Sequence, residues 1–289
     1  MWGPLSLLLN PYNASGDEYQ IHAKLRTHSK LGATNRHRMI DLTGKTILVT
    51  GASRGIGAAT ALTLSRSGAN VILHYSQGKA EVEQVAASLT GRYFLLQADL
   101  ASPGAAIELW QRAISWNGTV DVLVNNAAVM PYASVEDDWA VWSQAWQTTL
   151  QVNLIAVADL CREAIHHFKT QPKGTIINIA SRAAFRGDAP DFMHYAAAKG
   201  GVVALTRSIA RGFAKDNILA YTVAPGFVHT ERIAQLMQER GADGITRDIP
   251  MGQLVPPEEV ANVVAFLASG LAAHATGSTI DINGASYVR

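Results

Sequence analysis

Residues 50–57 read Thr-Gly-Ala-Ser-Arg-Gly-Ile-Gly and stand between a β-branched run that starts at Thr46 and a helical pattern over Gly57–Ser67. Glycines allow a tight turn and a close approach of the backbone to a ligand. A helix N-terminus presents unpaired N–H groups and the positive end of the helix dipole to an anion. The spacing is G-x-x-x-G-x-G rather than G-x-G-x-x-G, and glycine-rich turns also occur for structural reasons. This strand–turn–helix unit predicts an α/β fold whose first turn binds the pyrophosphate of a dinucleotide.

The rest of the chain repeats this alternation of short β-branched runs and longer amphipathic segments. Repeated strand–helix–strand units indicate a parallel sheet, because two parallel strands need a crossover connection. The sequence therefore predicts a Rossmann-type, doubly wound α/β fold with a seven-stranded parallel sheet and helices on both faces. The predicted strands are Thr46–Thr50, Val71–Tyr75, Tyr93–Gln97, Val120–Asn125, Thr175–Ala180, Leu219–Val223 and Thr279–Ile282, and the helices between them include Gly57–Ser67, Val82–Leu89 and Ala105–Trp116.

The composition excludes several classes of protein. Apolar residues make up 48% of the 289 residues and charged residues 16%, which suffices for a large core. The longest apolar runs are far shorter than the ~20 residues of a membrane-spanning helix. The net charge of +1 is spread along the chain, unlike the charge of a nucleic-acid binder. We expect a cytoplasmic protein that binds a small molecule, with neither a membrane nor a nucleic acid as partner.

Cys161 is the only cysteine, so the chain can form neither an internal disulfide nor a cysteine-based metal cluster. Its place within an apolar helical pattern indicates a core residue rather than a nucleophile. A single thiol also fits a reducing compartment. The sequence predicts no metal site.

Residues 1–40 lack the apolar periodicity of the remainder and are rich in His, Lys and Arg. We expect a poorly ordered N-terminal extension there, and a single Rossmann-fold domain over residues 41–289. The apolar run Leu5–Leu9 is too short for a secretory signal, and nearby acidic residues argue against a transit peptide. A second interpretation is that translation starts at Met39, which would make residues 1–38 a dispensable leader.

The end of the second predicted strand bears on the choice between NAD and NADP. Enzymes that use NAD usually place an acidic residue there, against the ribose 2′-hydroxyl. This strand ends His74-Tyr75-Ser76, without a carboxylate to repel a 2′-phosphate. Arg54 in the turn could pair with such a phosphate, and Ser76 could donate a hydrogen bond to it. The pattern favours NADP(H), with NAD(H) as the alternative; Arg54 could also be an ordinary solvated residue.

Tyr195 and Lys199 stand four residues apart in Phe-Met-His-Tyr-Ala-Ala-Ala-Lys, so on a helix they share one face. An ammonium beside a phenol favours the phenolate, which gives the pair a use in acid–base catalysis. Ser181 follows the predicted strand Thr175–Ala180 at the carboxyl edge, where doubly wound sheets bind ligands. Its hydroxyl could hydrogen-bond a substrate oxygen next to Tyr195, or it could cap the following turn.

With these residues assembled, the chain resembles the short-chain dehydrogenase/reductase family over Asp41–Arg289, specifically its single-domain branch with TGxxxGxG and YxxxK motifs. The resemblance is specific because separate motifs recur in the family's order. They are the turn over residues 50–57, Asp99-Leu100 after the third strand, Asn125-Asn126-Ala127 after the fourth, Asn153 in Gln-Val-Asn-Leu, Ser181, the pair Tyr195 and Lys199, and Pro225-Gly226 followed by Val228 and Thr230.

The resemblance implies roles for four catalytic residues. Ser181 would bind the substrate oxygen, and Tyr195 would be the general acid in reduction. Lys199 would assist the tyrosine and hold the nicotinamide ribose, while Asn153 would help to position a water in a proton relay. The implied cofactor contacts are Gly51, Ser53, Arg54, Gly55, Ile56, Gly57, Tyr75, Ser76, Asp99, Leu100, Asn126, Ala127, Tyr195, Lys199, Pro225, Gly226, Val228 and Thr230.

Two positions depart from the family's pattern. Ala128 stands where a glycine usually ends the Asn-Asn-Ala-Gly motif, and Tyr221 stands where an asparagine is common. Neither position performs chemistry, so we expect adjusted packing and retained activity.

Substrate specificity is expected from three segments, Val129–Trp146, Arg182–His194 and Phe227–Leu254. The third contains glycines among mixed polar and apolar residues, a composition typical of a lid that closes over substrate. Met130 and Tyr132 in the first segment are candidates for contact with substrate.

Two further sets of side chains in these segments have ordinary interpretations. Trp139, Trp142 and Trp146 share one helix face, which indicates packing more often than a pocket. Arg182 and Arg186 could attract an anionic group, although solvated arginines are the usual case.

These observations predict an oxidoreductase that interconverts a carbonyl and a secondary alcohol by hydride transfer with NADP(H). A reductase of 3-oxoacyl thioesters on acyl-carrier protein is one specific version. The alternatives are an NAD(H)-linked alcohol or sugar dehydrogenase and a nucleotide-binding sensor without chemistry, which the four retained catalytic residues disfavour. The helices over Thr148–Phe168 and Met193–Phe213 carry small residues, and their equivalents pair in this family, which implies a homotetramer or dimer.

Overall fold

The computed structural model describes residues 40–231, 233–234, 237 and 246–289. The predictions for residues 1–39, including the alternative start at Met39, lie outside the described residues. Within the described part, no helix is both long and apolar enough to cross a lipid bilayer.

The described residues form one parallel sheet with helices between its strands, which confirms the predicted fold class. The strands are β1 (Thr46–Val49), β2 (Asn70–Tyr75), β3 (Tyr93–Gln97), β4 (Val122–Asn125), β5 (Gly174–Ile179), β6 (Ile218–Pro225) and β7 (Thr279–Ile282). The helices are α1 (Gly55–Arg66), α2 (Lys79–Ala87), α3 (Ala105–Asn117), α4 (Trp139–Leu150), α5 (Ala156–Phe168), α6 (Ala183–Arg186), α7 (Met193–Phe213) and α8 (Pro257–Ser269).

The seven strands lie in the order β3-β2-β1-β4-β5-β6-β7. At the centre, Val49 of β1 is in register with Leu73 of β2 on one side and Val124 of β4 on the other. The strand order reverses between β1 and β4, so the loops that follow these two strands diverge and leave a crevice at the carboxyl edge. The candidate site residues after β1, β4 and β5 therefore meet at this crevice.

The sheet is buried on both faces, and for that reason its strands are almost continuously apolar. Alternate residues serve opposite cores. Leu48 and Leu123 belong to the cluster that includes residues of α3, α5 and α7, whereas Val49 and Val124 belong to the cluster that includes residues of α1 and α8. Burial of each of these aliphatic side chains stabilises the fold by roughly 1.5–3 kcal/mol. The strands that border the crevice are therefore firmly packed.

The element bounds differ from the predicted ones mainly where tertiary contacts decide them. Strand β6 runs on to Pro225 instead of ending at Val223, because its last residues pair with β7. The predicted helix over Thr148–Phe168 is interrupted by a wide π-helical turn, Gln151–Ile155, between α4 and α5. Cys161 is buried and its pKa is raised to about 12 by burial, as expected for a core residue.

Candidate active site

The turn after β1 is built on close backbone approaches that only glycine allows. Gly51 has φ +65°, and a Cβ there would lie 2.9 Å from the Cα of Ala127. A Cβ at Gly57 would lie 2.1 Å from the carbonyl oxygen of Gly51. A Cβ at Gly55 would come within 3.0 Å of the Thr230 side chain, which places the loop after β6 against this turn. The turn therefore leaves its inner backbone accessible only as long as these positions lack side chains.

Helix α1 begins at Gly55 and offers its first N–H groups to the crevice. In the described part of the chain no side chain caps this helix, and its first turn carries no acidic residue. Such a helix end suits a pyrophosphate. Arg54, just before the helix, is exposed and forms a long ion pair of 3.9 Å with the exposed Glu231, so the guanidinium is accessible to an anion.

The loop after β4 holds the glycine turn in place. The Thr50 hydroxyl oxygen accepts hydrogen bonds from the backbone N–H groups of Asn126 (2.9 Å) and Ala127 (3.0 Å). In return, Nδ2 of Asn126 donates to the carbonyl oxygens of Thr50 (2.9 Å) and Gly51 (3.0 Å). Ala128 is exposed, so the extra methyl in place of glycine needs no room in the core. The Asn-Asn-Ala motif thus links the loop after β4 to the glycine turn after β1 by hydrogen bonds.

His74 is a site residue that the sequence analysis did not identify. Its Nδ1 accepts a hydrogen bond from the N–H of Gly51 (3.1 Å), which requires the proton to be on Nε2, and Nε2 lies 3.1 Å from the carbonyl oxygen of Ala98. Burial lowers the pKa of His74 to about 4, so the ring is neutral at ordinary pH. The imidazole therefore ties the glycine turn to the end of β3. A polar residue one place before the end of a buried strand was the available signal.

Four of the implied cofactor contacts lie at or just after the ends of β2 and β3, namely Tyr75, Ser76, Asp99 and Leu100. Tyr75 and Leu100 are buried, whereas Asp99 is exposed and accepts the N–H of Ala101 on its carboxylate. The Ser76 carbonyl accepts a hydrogen bond from the Gln97 side chain (2.9 Å). On the other side, the Ser53 side chain lies 3.2 Å from the place of a Cβ at Gly78, and Ile56 is half-buried. The turns after β1 and β2 are therefore neighbours.

Tyr195 and Lys199 lie in the first two turns of α7, on one face. Nζ of Lys199 is 5.7 Å from the centroid of the Tyr195 ring and donates a 2.7 Å hydrogen bond to the carbonyl oxygen of Ile179, at the end of β5. Lys199 is buried, and burial lowers its pKa to about 8. A buried ammonium held this way is directed to the carboxyl edge of the sheet beside the tyrosine ring.

Ser181 stands two residues after the end of β5. Its hydroxyl caps the following turn, which was one of the two predicted roles, and this contact is compatible with the other role, a hydrogen bond to a substrate oxygen. Its Oγ accepts a hydrogen bond from the N–H of Ala183 (3.1 Å) at the start of α6. A serine hydroxyl that accepts still has its own proton to donate. The side chain is half-buried, so it is not shut off from solvent.

Asn153 lies in the π-helical turn between α4 and α5 and is fully buried. Its side-chain amide pairs with both backbone groups of Val129, accepting from the N–H (2.8 Å) and donating to the C=O (2.7 Å). Turns of this kind widen the helix and occur often at functional sites. Asn153 therefore links the helix to the loop after β4, where the substrate-side segment begins.

The loop after β6 is anchored on both sides. The Pro225 carbonyl accepts the N–H of Arg182 (3.0 Å), and the Gly226 N–H donates to Ile282 (2.9 Å). Val228 is buried and pairs with Val255. The Pro225-Gly226 turn is thus fixed next to the residues that follow Ser181, and Thr230 lies against the glycine turn as described above.

The substrate-side segments are only partly packed. Tyr132 is 58% exposed and meets the Phe192 ring edge-on, and a pocket of about 490 Å³ lies between this tyrosine and α4. Trp142 and Trp146 contact each other, but Trp139 is 77% exposed. The packing interpretation is therefore wrong for Trp139, which is the first residue of α4 and projects beyond the core.

Arg182 corrects a second expectation, because it is buried rather than solvated. Its guanidinium stacks on Phe227 and faces Asp248, while the half-exposed Arg186 also bonds Asp248. Residues 232, 235–236 and 238–245 of the predicted lid lie outside the described residues, so the lid stays a prediction.

Both the sequence and the fold of this chain match known proteins. Residues 51–285 match the family model described as enoyl-(acyl carrier protein) reductase. The 3-oxoacyl-[acyl-carrier-protein] reductase FabG of Staphylococcus aureus is 35% identical over 249 residues, which cover 84% of this chain and 98% of that protein.

Two solved structures share the fold over nearly their whole length. A 3-oxoacyl (acyl-carrier-protein) reductase of Agrobacterium tumefaciens with NADP bound has a TM-score of 0.77 and 35% identity, covering 84% of this chain and 95% of that one. A short-chain type dehydrogenase/reductase of Mycobacterium marinum has a TM-score of 0.77 and 28% identity, covering 86% and 98%. The chain belongs to the short-chain dehydrogenase/reductase family of oxidoreductases.

Proposed function

We propose that this chain interconverts a carbonyl compound and a secondary alcohol with NADP(H) as cofactor. The observation that carries the proposal is the placement of Tyr195 and Lys199 on one face of α7, with Lys199 bonded to the end of β5 two residues before Ser181. The glycine turn that suits a pyrophosphate lies at the same edge of the sheet. A proton donor and a dinucleotide site at one crevice are what carbonyl reduction requires.

The cofactor proposal rests on fit. The turn after β1 has backbone that a Cβ would obstruct at Gly51 and Gly57, and α1 presents its uncapped end beside it. Arg54 is accessible to a 2′-phosphate, and the NADP bound to the Agrobacterium tumefaciens reductase supports the same choice. When bound, the nicotinamide would supply a hydride to the carbonyl carbon or accept one from the alcohol. Pro225 and Gly226 would border its ring end.

The residues of the chain then provide the proton and the charge stabilisation. The Ser181 hydroxyl would donate a hydrogen bond to the substrate oxygen, which stabilises negative charge that develops there. Tyr195 would give its phenolic proton to that oxygen, and the nearby ammonium of Lys199 would favour the phenolate that remains. Since the Asn153 side chain is engaged with Val129, a water that resupplies the proton would bind at a backbone carbonyl of the widened turn.

The substrate class is proposed more narrowly from the relatives. The Staphylococcus aureus and Agrobacterium tumefaciens proteins are described as 3-oxoacyl reductases, which makes a 3-oxoacyl thioester one candidate substrate. The runner-up is an NAD(H)-linked alcohol or sugar dehydrogenase. It is favoured by the exposed position of Arg54, because an arginine with few contacts in the protein does not by itself impose a 2′-phosphate.

The test is a panel of carbonyl compounds and secondary alcohols followed by the absorbance of the reduced nicotinamide, with NADP(H) and NAD(H) in parallel. The panel includes a 3-oxoacyl thioester, simple ketones and sugars. We expect reduction with NADPH and a clearly lower kcat/KM with NADH. A preference for NADH together with sugar oxidation would establish the runner-up, and cofactor binding without turnover of any compound would indicate a sensor.

We also propose that residues 41–289 act as one domain in a homo-oligomer, a dimer or tetramer, in a reducing compartment such as the cytoplasm. Exposed apolar side chains on the α4–α5 side, Trp139, Val141 and Ile155, support an interface there. Light scattering on the purified protein would give the mass; a monomer at micromolar concentration would refute the oligomer.

A further inference from the structure

Arg182 occupies an unusual position for a charged side chain. It directly follows Ser181, and its backbone N–H is bonded to Pro225, the last residue of β6. Its guanidinium lies 4.3 Å from the centre of the Phe227 ring, which comes one residue after the Pro225-Gly226 turn. Arg182 thereby connects the segment that begins at Ser181 with the segment that follows the Pro225-Gly226 turn.

This guanidinium is buried without a full set of partners. The side chain is 9% exposed, and its Nη1 atom makes no hydrogen bond in the described part of the chain. The same Nη1 atom forms an ion pair with Oδ2 of Asp248 at 3.4 Å, but that carboxylate is half-exposed and also bonds Arg186. Asp188, another nearby carboxylate, is exposed and accepts from the N–H of Ala189. Burial accordingly lowers the pKa of Arg182.

Arg289 offers a comparison, because it is a stacked arginine that has a carboxylate partner of its own. It also stacks on an aromatic ring, 4.1 Å from the centre of Phe185, but it has its own carboxylate, with Nε of Arg289 2.9 Å from Oδ2 of Asp281. Arg182 shares its carboxylate with a second arginine. Because a buried cation is unfavourable unless it is paired, a guanidinium that shares its carboxylate with Arg186 favours a further anionic partner.

We infer that Arg182 is a specificity-determining residue that binds an anionic group of the substrate, a carboxylate or a phosphate close to the reacting carbonyl. The inference rests on the proposed function, since it places this anion in the same crevice as Ser181 and Tyr195. A guanidinium is suited to the task because its planar fork binds paired oxygens with two hydrogen bonds. Among the candidate substrates, an oxo acid or a phosphorylated ketone is then preferred over the 3-oxoacyl thioester, whose acyl group is uncharged beside the ketone.

The experiment compares pairs of substrates that share the ketone and differ in whether they carry the anionic group: 3-oxobutanoate against its ethyl ester, and dihydroxyacetone phosphate against dihydroxyacetone. For the wild-type protein with NADPH we expect kcat/KM to be at least about tenfold higher for the anionic member of one pair, the factor that corresponds to a charge-assisted hydrogen bond. The pair that shows the preference identifies the anion as carboxylate or phosphate. Equal values within both pairs, or a preference for the neutral members, would overturn the inference.

Two variants and one control assign the preference to the residue. Arg182→Met should remove the preference by lowering kcat/KM for the anionic member alone. Asp248→Asn should raise the preference for the anionic member several-fold, because it removes the carboxylate that competes for Arg182. This variant tests the inference even if Arg182→Met does not fold. Arg289→Met, which removes the arginine that has a carboxylate partner of its own, should leave the preference unchanged. Equal losses on both members of a pair in the first two variants would mean that the Arg182–Asp248 contact only holds the structure, and the inference would fail.

Failure of the inference can be told apart from failure of the proposed function. Butanoate and inorganic phosphate cannot be reduced, so calorimetric titration of either into the NADP-saturated protein measures anion binding without turnover. We expect binding of one of them to wild type and on the order of tenfold weaker binding to Arg182→Met. Absence of such binding overturns the inference even where neutral ketones are reduced. Binding in a protein that reduces nothing supports the anion site while the proposed reaction fails.

Discussion

The two sides of the crevice are held together in different ways. On the cofactor side, Thr50, Asn126 and His74 hydrogen-bond to backbone groups of neighbouring loops, and the backbone comes close enough to exclude side chains. On the substrate side, Arg182 reaches Asp248 and Phe227 through contacts between side chains. The difference shows why the class of reaction can be deduced from motifs whose residues act on the backbone, whereas the substrate depends on which side chains meet.

The largest expected effect comes from removing the proton donor between these two sides. Tyr195→Phe should lower kcat by about 10²–10⁴-fold, the usual contribution of a general acid, while leaving the cofactor side intact. Steady-state measurements give kcat. Quenching of tryptophan fluorescence by NADPH gives the dissociation constant of the cofactor. Turnover within a few-fold of wild type would exclude Tyr195 as the acid.

A change in the glycine turn should act in the opposite way, on binding first. Gly57→Ala would place a Cβ 2.1 Å from the carbonyl oxygen of Gly51 and 2.6 Å from Nδ2 of Asn126. We expect NADPH affinity to fall about tenfold or more, and the free energy of unfolding to fall by about 1–3 kcal/mol from overpacking. Denaturant titration and fluorescence titration measure the two effects.

The matched control is another glycine that has room for a methyl group. Gly212 lies in α7, and beyond its own helical turn no atom of the described residues comes within 4 Å of its prospective Cβ. Gly212→Ala should keep NADPH affinity and raise stability by up to about 1 kcal/mol, because alanine favours the helix. Equal losses of NADPH affinity and stability in Gly57→Ala and Gly212→Ala would show that the close backbone approaches at Gly57 do not matter for the turn.

The same contrast decides what could be predicted from sequence. The order of strands and helices, the parallel sheet and the family were accessible because apolar periodicity and glycine spacing are local properties, and the structure and the comparisons confirm them. The burial of Arg182 was not, because it depends on Phe227 and Asp248, which follow in later segments. The bond of His74 to Gly51 was missed for the same reason. The roles of the four catalytic residues stay predictions.

A smaller effect is expected from Arg54, which belongs to the cofactor side but is exposed. Arg54→Ala should raise KM for NADPH about tenfold, the worth of one charge-assisted hydrogen bond, and should hardly change KM for NADH. Arg162→Ala on α5, also an exposed arginine, is the control and should change neither. Equal increases for both cofactors in Arg54→Ala would refute a contact with the 2′-phosphate.

The smallest effect is a pH dependence of stability that reports on Lys199, where the two sides meet. Burial lowers the pKa of Lys199 to about 8 from the 10.5 of an unburied lysine. Below about pH 8 both folded and unfolded chains carry this proton, so the folded state bears the full penalty of a buried charge. Between about pH 8 and 10.5 the unfolded chain binds a proton that the folded chain has released, and the stability contributed by this group therefore rises with pH.

Lys199→Met removes the buried charge and with it this gain. In the cofactor-free protein, the Tm of Lys199→Met relative to wild type should thus be highest near pH 7 and should decline as the pH is raised through 8 towards 10. Lys79→Met, at a side chain that is 70% exposed, should show a difference from wild type that stays level over the same range. A level difference for Lys199→Met as well would mean that the ammonium is not buried as described. A decline would show that the folded protein carries, next to Tyr195, a buried charge that destabilises it.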